Sequence, residues 1–394
     1  MKTGFFLANI SSGGGFYQTV NFALSLNKLA KDKDITFITD NQKIKKILEQ
    51  NDIPILFFKN SLLNNFIFRI LNIDFIKKLF NKLSIKNPLE KFLSANKIDF
   101  LIFNSPSIYT LYSEKINYVC SIWNSEIKTF NHFNEFLIGN YNYQNNIINS
   151  IAKYAFKIVV FTEKNREDLI NYYNCVQNKI VTQNLIPLFP KIFEKNKITV
   201  NYDDIYQKLE LDASKKWIFY PSEFIPHKNH IYILDTLNFL NDEKYKNINF
   251  VFTGSDGGNL SYIKKMIKLN NLNNRVKIFN YLENNQIISL YKNCSAVVMP
   301  TYVGRSSLPL LESFYFNKKI FYTKDILDDD LKKYVTEVDL NEPKDLAEKL
   351  KSFYESPDEI NTKQIYESIC SEENLLINYK KIIDEFEYIR KRWV

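Results

Sequence analysis

Glycine is scarce in this chain, with nine residues among 394, where average usage is roughly 7%. Cysteine and histidine are scarcer still, at four and three, and the cysteines lie far apart without a C-x-x-C pair. These counts argue against a disulfide framework and a zinc site, and we expect reduced thiols in a cytoplasmic protein. No run of 18 apolar residues occurs, and the apolar run before Ser11 is too short for a signal peptide. We therefore expect no membrane-spanning segment.

The composition is typical of a folded globular protein, with 45% apolar residues, 24% charged residues and a net charge of +8. The basic residues are scattered among 44 acidic ones, so we expect no nucleic-acid partner. A length of 394 residues predicts two or three domains, and we favour two.

Short apolar runs alternate with helical spacing along most of the chain. The run 4–10, the glycines, the stretch 16–30 and the run 35–40 predict strand, loop, helix and strand. Further predicted strands are 53–58, 98–104, 116–123, 156–162, 179–186, 215–222, 247–255, 275–282, 295–301 and 318–323. Such runs suit parallel strands covered on both faces.

The sequence therefore predicts an α/β protein with two Rossmann-like, doubly wound domains facing a cleft. We place the first domain at 1–190, a linker at 191–213 and the second domain at 214–375, because the periodicity is lost near 187–201. Ligands of such domains bind beyond the carboxyl ends of the strands.

Seven of the nine glycines lie in three loops that each follow a predicted strand. They are Gly13, Gly14 and Gly15; Gly254, Gly257 and Gly258; and Gly304. Glycine permits a positive φ and the close approach of a ligand, and the following helix offers unpaired N–H groups to an anion. Simple turns are the alternative. A dinucleotide-binding motif is incomplete, because Gln18 stands where its third glycine belongs, although Asp40 matches its ribose-binding acid.

The stretch MPTYVGRSSLPLLESF (299–314) predicts a phosphate site where a strand leads into a helix. Ser307 is a suitable N-cap, and a proline is tolerated in the first helical turn. Arg305 adds a positive charge to the loop. Glu312, one turn into the helix, is placed to accept hydrogen bonds from the hydroxyls of a ribose or sugar, with an exposed helical glutamate as the alternative.

With these motifs the chain resembles the retaining nucleotide-sugar glycosyltransferases of the GT-B fold, family 4. The likeness is carried by YPSEFIPHKNH (220–230), by 252–302 and by GRSSLPLLESF (304–314). It implies that the C-terminal domain binds a nucleoside diphosphate sugar and the N-terminal domain an acceptor. It also implies that the last helix, placed at 376–394, crosses back to the N-terminal domain.

The resemblance also implies the roles of individual residues. Lys228 and Glu312 are the implied catalytic residues, and Trp123, Asn124 and His132 are implied on the acceptor or sugar side. The implied donor-binding residues are Gly13, Gly14, Gly15, Gly254, Ser255, Leu282, Gly304, Arg305, Ser306, Ser307 and Leu308. We expect no metal and no cofactor, and we interpret the acidic stretches 31–34 and 327–331 as a solvated turn and a helix end.

Three positions depart from the family pattern. Glu223 stands where an Arg usually clamps the phosphates together with the Lys that matches Lys228, and Arg305 is a candidate compensation. Gly304 replaces the first of two paired glutamates, of which Glu312 matches the second. Ile127 occupies the usual position of a His that touches the donor sugar.

We therefore predict a retaining glycosyltransferase that moves a sugar from a nucleotide donor to a growing surface glycan or lipid-linked saccharide. A noncatalytic nucleotide-sugar-binding partner of an active transferase is the alternative, and an epimerase of the same fold ranks third.

Residues 64–93 predict contact with an anionic membrane, which places the protein at its inner face. One helical face carries Phe75, Ile76, Leu79, Phe80 and Leu83, with Lys77, Lys78 and Lys82 beside it. A basic amphipathic helix can lie in the surface of a bilayer. A helix packed on the sheet is the alternative.

Overall fold

The computed structural model describes residues 1–7, 9–10, 13–71, 73–187, 202–212, 214–305, 307–357 and 361–393. The chain divides into two compact units, and each contains one sheet. Unit 1 consists of Met1–Lys128, Gly139–Ile186 and Ser371–Val394, and unit 2 of Thr129–Ile138 and Pro187–Cys370.

The sheet of unit 1 has seven parallel strands in the order β3-β2-β1-β4-β5-β6-β7. The strands are β1 Thr3–Leu7, β2 Ile35–Thr39, β3 Ile55–Phe57, β4 Phe100–Phe103, β5 Asn117–Ile122, β6 Lys157–Val160 and β7 Ile180–Thr182. Every residue of β1 and β4 is buried, as expected for parallel strands covered on both faces. The direction of winding reverses between these two strands, so their carboxyl ends mark the expected ligand position in this unit.

Eight helices are described in unit 1, and one of them starts at the border with unit 2. They are Gly13–Leu26, Gln42–Glu49, Leu62–Leu71, Asp74–Lys82, Pro88–Ala95, Ile138–Tyr154, Glu163–Tyr173 and Glu372–Arg390. The last helix packs on the first sheet, where Phe386 stacks on Phe100 at 4.1 Å between ring centroids. Its Tyr379 forms a buried hydrogen bond with Ser121 of β5.

The sheet of unit 2 has six parallel strands in the order β10-β9-β8-β11-β12-β13. The strands are β8 Lys216–Pro221, β9 Ile248–Thr253, β10 Val276–Phe279, β11 Ala296–Met299, β12 Ile320–Thr323 and β13 Thr336–Val338. The sequence did not predict β13, because its three residues, Thr-Glu-Val, include only one apolar side chain and so form no apolar run. All twelve predicted strands are present, and their ends differ from the predicted ones by at most four residues.

Unit 2 contains the helices Tyr202–Lys208, His230–Leu237, Leu260–Leu269, Asn284–Asn293, Leu308–Tyr315, Asp329–Lys332, Pro343–Glu355 and Lys363–Ile369. The first of these lies inside the predicted linker 191–213, of which residues 191–201 and 213 lie outside the described residues. The segment Thr129–Ile138, which the sequence placed in the first domain, groups with unit 2.

Candidate functional site

Two loops of unit 2 meet at the carboxyl ends of β8 and β11. The short 3-10 helix Pro226–Lys228 follows β8, and Lys228 Nζ donates a hydrogen bond of 3.2 Å to the carbonyl of Val303 in the loop after β11. A Cβ on Gly304 would lie 3.8 Å from the same Nζ. The structure therefore brings Lys228 and Gly304 together, as the sequence motifs indicated.

Gly304 adopts a φ of +144°, which an L side chain rarely takes. Its carbonyl accepts a hydrogen bond of 2.6 Å from Tyr322 at the end of β12. The side chain of Thr301 donates to the Val303 carbonyl at 2.5 Å. These two bonds fix the backbone of the loop beside Lys228.

Ser307 occupies the N-cap position of Leu308–Tyr315, as expected, but its side chain makes no capping hydrogen bond. The hydroxyl is buried and has no partner among the described residues. Arg305 lies half-buried in the same loop, and Ser306 lies outside the described residues. Helix N-termini favour anions, and this hydroxyl lies at the start of the helix, next to Leu308, where it is available as a donor.

Glu312 lies one turn into this helix and accepts a hydrogen bond of 2.7 Å from the hydroxyl of Tyr291. Tyr291 is fully buried and stacks on Phe316. Burial raises the pKa of Glu312 to about 7, and the bond from Tyr291 only partly opposes that shift. Nothing in the local sequence pointed to Tyr291, since a helical tyrosine in an apolar stretch is common in cores.

The loop after β9 is held against the loop after β8. A Cβ on Gly254 would lie 2.2 Å from the backbone oxygen of Ser222, so only glycine allows this approach. Ser255 donates a hydrogen bond of 3.1 Å to Glu223, the residue that replaces the family's clamping Arg. Leu282 lies half-buried between β10 and the helix Asn284–Asn293.

The two histidines that flank Lys228 are buried and neutral. Burial, together with the charge of Lys228, lowers the pKa of His227 to about 4 and that of His230 to about 3. His230 packs among the rings of Tyr220, Phe224 and Phe252, and His227 contacts Glu135. His132 is exposed, with its ring 4.5 Å from that of Phe133.

In unit 1 the structure brings Gly15 and Trp123 together. Gly13, with a φ of +76°, begins the helix that contains Gly14 and Gly15. A Cβ on Gly15 would lie 2.8 Å from the Trp123 ring, and the indole N–H of Trp123 donates to the Asn104 carbonyl at 2.7 Å. Asn124, next to Trp123, is exposed.

The part of the chain that the structure describes contains neither a cluster of metal-binding side chains nor a membrane-spanning helix. No group of three or more His, Cys, Asp and Glu side chains there is arranged to hold a metal ion. No helix there is long and apolar enough to cross a membrane.

Residues 201–369 match the family model described as "Glycosyl transferases group 1". The matched range includes Lys228, Gly304, Ser307 and Glu312. No match is found among the curated protein sequences.

Solved structures are similar over nearly the whole chain. Alr3699/HepE of Anabaena, in complex with UDP-glucose, has a TM-score of 0.72 at 14% identity, covering 98% of this chain and 100% of its own. The chain has the GT-B fold. A glycosyltransferase from Rickettsia africae has a TM-score of 0.68 at 16% identity, and the match covers 98% of both chains. The UDP-GlcNAc 2-epimerase of Neisseria meningitidis, bound to UDP-GlcNAc, has a TM-score of 0.58 at 16% identity. The match covers 98% of this chain and 99% of the epimerase. At such identities the GT-B likeness concerns the fold alone.

Proposed function

We propose that this GT-B protein is a retaining glycosyltransferase of family 4 that moves a sugar from a nucleoside diphosphate donor to a growing surface glycan or lipid-linked saccharide. The observation that carries the proposal is the placement of Lys228 Nζ against the Val303–Gly304 backbone, inside the range that matches the glycosyltransferase group 1 model.

The donor diphosphate binds between Lys228 and the start of the helix Leu308–Tyr315. The ammonium group supplies the positive charge, and the helix N-terminus supplies backbone N–H groups. The unused hydroxyl of Ser307 donates to a phosphate oxygen, and Arg305 approaches from the same loop. Glu223 carries the opposite charge, and its bond to Ser255 holds it at the loop after β9.

Glu312 orients the nucleotide by accepting hydrogen bonds from ribose or sugar hydroxyls. Its carboxyl group is costly to ionise in the empty site, because burial raises its pKa to about 7. Hydroxyl donors favour the carboxylate, so donor binding lowers this cost.

The chemistry needs no protein base near the acceptor. In a retaining transfer with front-face departure of the leaving group, the departing phosphate takes the acceptor proton. As negative charge develops on that phosphate, its attraction to Lys228 strengthens, which lowers the barrier. The neutral histidines beside Lys228 pack the turn and take no part in proton transfer. We propose that neither a metal ion nor a cofactor takes part.

A noncatalytic nucleotide-sugar-binding protein is the second candidate, favoured by Glu223 at the position of the clamping Arg. Two measurements on the purified chain separate the candidates. Thermal unfolding with a panel of nucleoside diphosphates and their sugars tests binding, since a ligand of the folded state raises the midpoint. Slow hydrolysis of the stabilising donor without an acceptor supports the transferase. Stabilisation without any hydrolysis or transfer supports the binding protein, and an altered but intact donor sugar supports an epimerase.

We further propose that the protein contacts an anionic membrane through the helices Leu62–Leu71 and Asp74–Lys82. These helices and their flanks expose Leu62, Leu63, Phe66, Ile73, Phe75, Leu79, Leu83 and Ile85, by 40% to 90%. Ile76 and Phe80 of the predicted face are half-buried. An apolar surface of this size on one short segment marks an interaction site.

The charge of the same segment favours a lipid partner. Residues 59–97 contain eight lysines and arginines and two acidic residues, a net charge of +6 out of +8 for the chain. Arg69, Lys78 and Lys82 are exposed among the apolar side chains. Each basic residue near an anionic surface contributes about 1 kcal/mol of binding. Such a surface would hold the enzyme beside a lipid-linked acceptor.

A further inference from the structure

One short segment lies between two stretches of unit 1 in the sequence but belongs to unit 2, where it packs on the loops after β8 and β11. We call these two loops the donor loops, because the proposed donor binds there. We call residues Thr129–Ile138 the strap. The chain belongs to unit 1 up to Lys128 and again from Gly139, but the strap itself groups with unit 2. These ten residues are therefore part of the same compact unit as Lys228.

The carboxylate of Glu135 holds the turn that precedes Lys228. Its Oε1 accepts a hydrogen bond of 3.1 Å from the backbone N–H of His227 and a second, short one from His227 Nδ1. The ring of Phe136 stacks on His227, with centroids 5.7 Å apart and an interplanar angle of 22°. His227 is buried beneath these two strap residues, with 7% of its surface exposed.

The strap also reaches the second donor loop. Phe133 lies 5.2 Å from the ring of Tyr302, centroid to centroid. The backbone N–H of Tyr302 donates a hydrogen bond of 2.9 Å to the carbonyl of His227. Through His227, Glu135 is thus connected to both loops that place Lys228 against Val303.

We propose that Glu135 is a positioning residue, which fixes His227 and thereby holds the Lys228 ammonium group in its donor-binding position. This inference rests on the proposed function, because it concerns the same site. The Glu135 carboxylate is turned toward His227 and acts on Lys228 through that residue. Removal of the Glu135 carboxylate leaves the Lys228 side chain itself unchanged but allows the turn 226–228 to move.

The test compares Glu135→Ala, Glu135→Gln and the strap control Asn134→Ala, whose side chain is exposed. Glu135→Ala is expected to weaken binding of the stabilising nucleoside diphosphate roughly tenfold, as for a lost hydrogen-bond pair. Glu135→Gln retains an oxygen that accepts both bonds and should restore affinity. Asn134→Ala should bind like the wild type.

A double-mutant cycle separates positioning from a general loss of stability. If Glu135 acts through Lys228, then Glu135→Ala has little further effect on nucleotide affinity in the Lys228→Ala background. Additive losses overturn the proposal. Hydrogen exchange tests the positioning role without nucleotide. Glu135→Ala should speed the exchange of the backbone amides of His227 and Tyr302. Unchanged exchange of both amides overturns the positioning role alone. A wild-type protein that binds no nucleotide overturns the proposed function together with this role.

Discussion

The hydroxyl of Tyr291 donates a 2.7 Å hydrogen bond to the half-buried carboxylate of Glu312, and we expect this pair to make the stability of the protein depend on pH. The pKa of Glu312 is raised from 4.5 to about 7 by burial. Because folding raises this pKa, the protonated carboxyl contributes fully to the stability of the fold below about pH 4.5. That contribution is lost as the pH rises through about 7 and the group ionises.

Glu312→Gln is therefore expected to stabilise the protein increasingly between pH 5 and pH 8, by about 2–3 kcal/mol, because glutamine stays neutral and still accepts the bond from Tyr291. The measurement is the midpoint of thermal unfolding at both pH values without ligand. Glu367→Gln, at an exposed helical glutamate, serves as the control and should show no such trend. An equal shift at pH 5 and pH 8 would show that Glu312 does not titrate in this range.

Lys228 and Glu312 should differ in their kinetic effects. Lys228→Ala is expected to lower kcat and to raise KM for the donor, because the attraction to the leaving phosphate grows in the transition state. Glu312→Ala should mainly raise KM, by about 1–3 kcal/mol of lost binding, because hydroxyl contacts change little as the bond breaks. Donor hydrolysis without an acceptor provides both constants. Lys264→Ala, at an exposed helical lysine, is the control. If Lys228→Ala leaves kcat and KM unchanged, Arg305 becomes the better candidate for the residue that binds the diphosphate.

Gly254 should tolerate no side chain. Gly254→Ala places a Cβ 2.2 Å from the Ser222 carbonyl oxygen, and both groups belong to the backbone. We expect a loss of about 2 kcal/mol or more in stability, measured by thermal unfolding. Gly139→Ala is the matched control, since its Cβ would meet nothing within 4 Å in the helix Ile138–Tyr154. That control should be neutral or stabilising by up to about 1 kcal/mol; equal midpoints for the two variants would contradict the prediction.

Gly15 and Trp123 should be energetically coupled. The Cβ of Gly15→Ala would lie 2.8 Å from a ring held by its hydrogen bond to Asn104. We expect Gly15→Ala to cost about 1–3 kcal/mol and to shift the tryptophan emission. In the Trp123→Leu background the same change should cost much less, because the ring is gone. Independent, additive effects would mean that the helix start relaxes away from Trp123.

Membrane contact is tested by flotation with vesicles that contain anionic lipid. Phe66→Ser with Phe75→Ser should abolish binding, because both side chains are at least 60% exposed and insertion of apolar area drives attachment. Lys78→Glu with Lys82→Glu should weaken binding most at low salt. Leu269→Ser, at a side chain 63% exposed in unit 2, should bind normally. A wild-type protein that does not float even at low salt would favour a protein partner for this surface.

The local sequence was enough to predict twelve strands, because short apolar runs flanked by turns carry their own signal. It also indicated the special backbone of the loop after β11, since glycine at a strand end and serine before a helix have local physical reasons. The order of the strands is known only from the structure. The sequence did not predict β13, because Thr336–Val338 contains a single apolar residue, and only its pairing with β12 makes it a strand.

Contacts between distant residues could not be predicted in this way. Glu135 and His227 are 92 residues apart, and Tyr291 and Glu312 are 21 apart. A glutamate or tyrosine has the same local propensities whether its side chain points to solvent or to a buried partner. Which partner it meets, and therefore the pKa of Glu312 and the fixation of Lys228, depends on the packing of whole elements, because burial and hydrogen bonding arise only where separate segments come together.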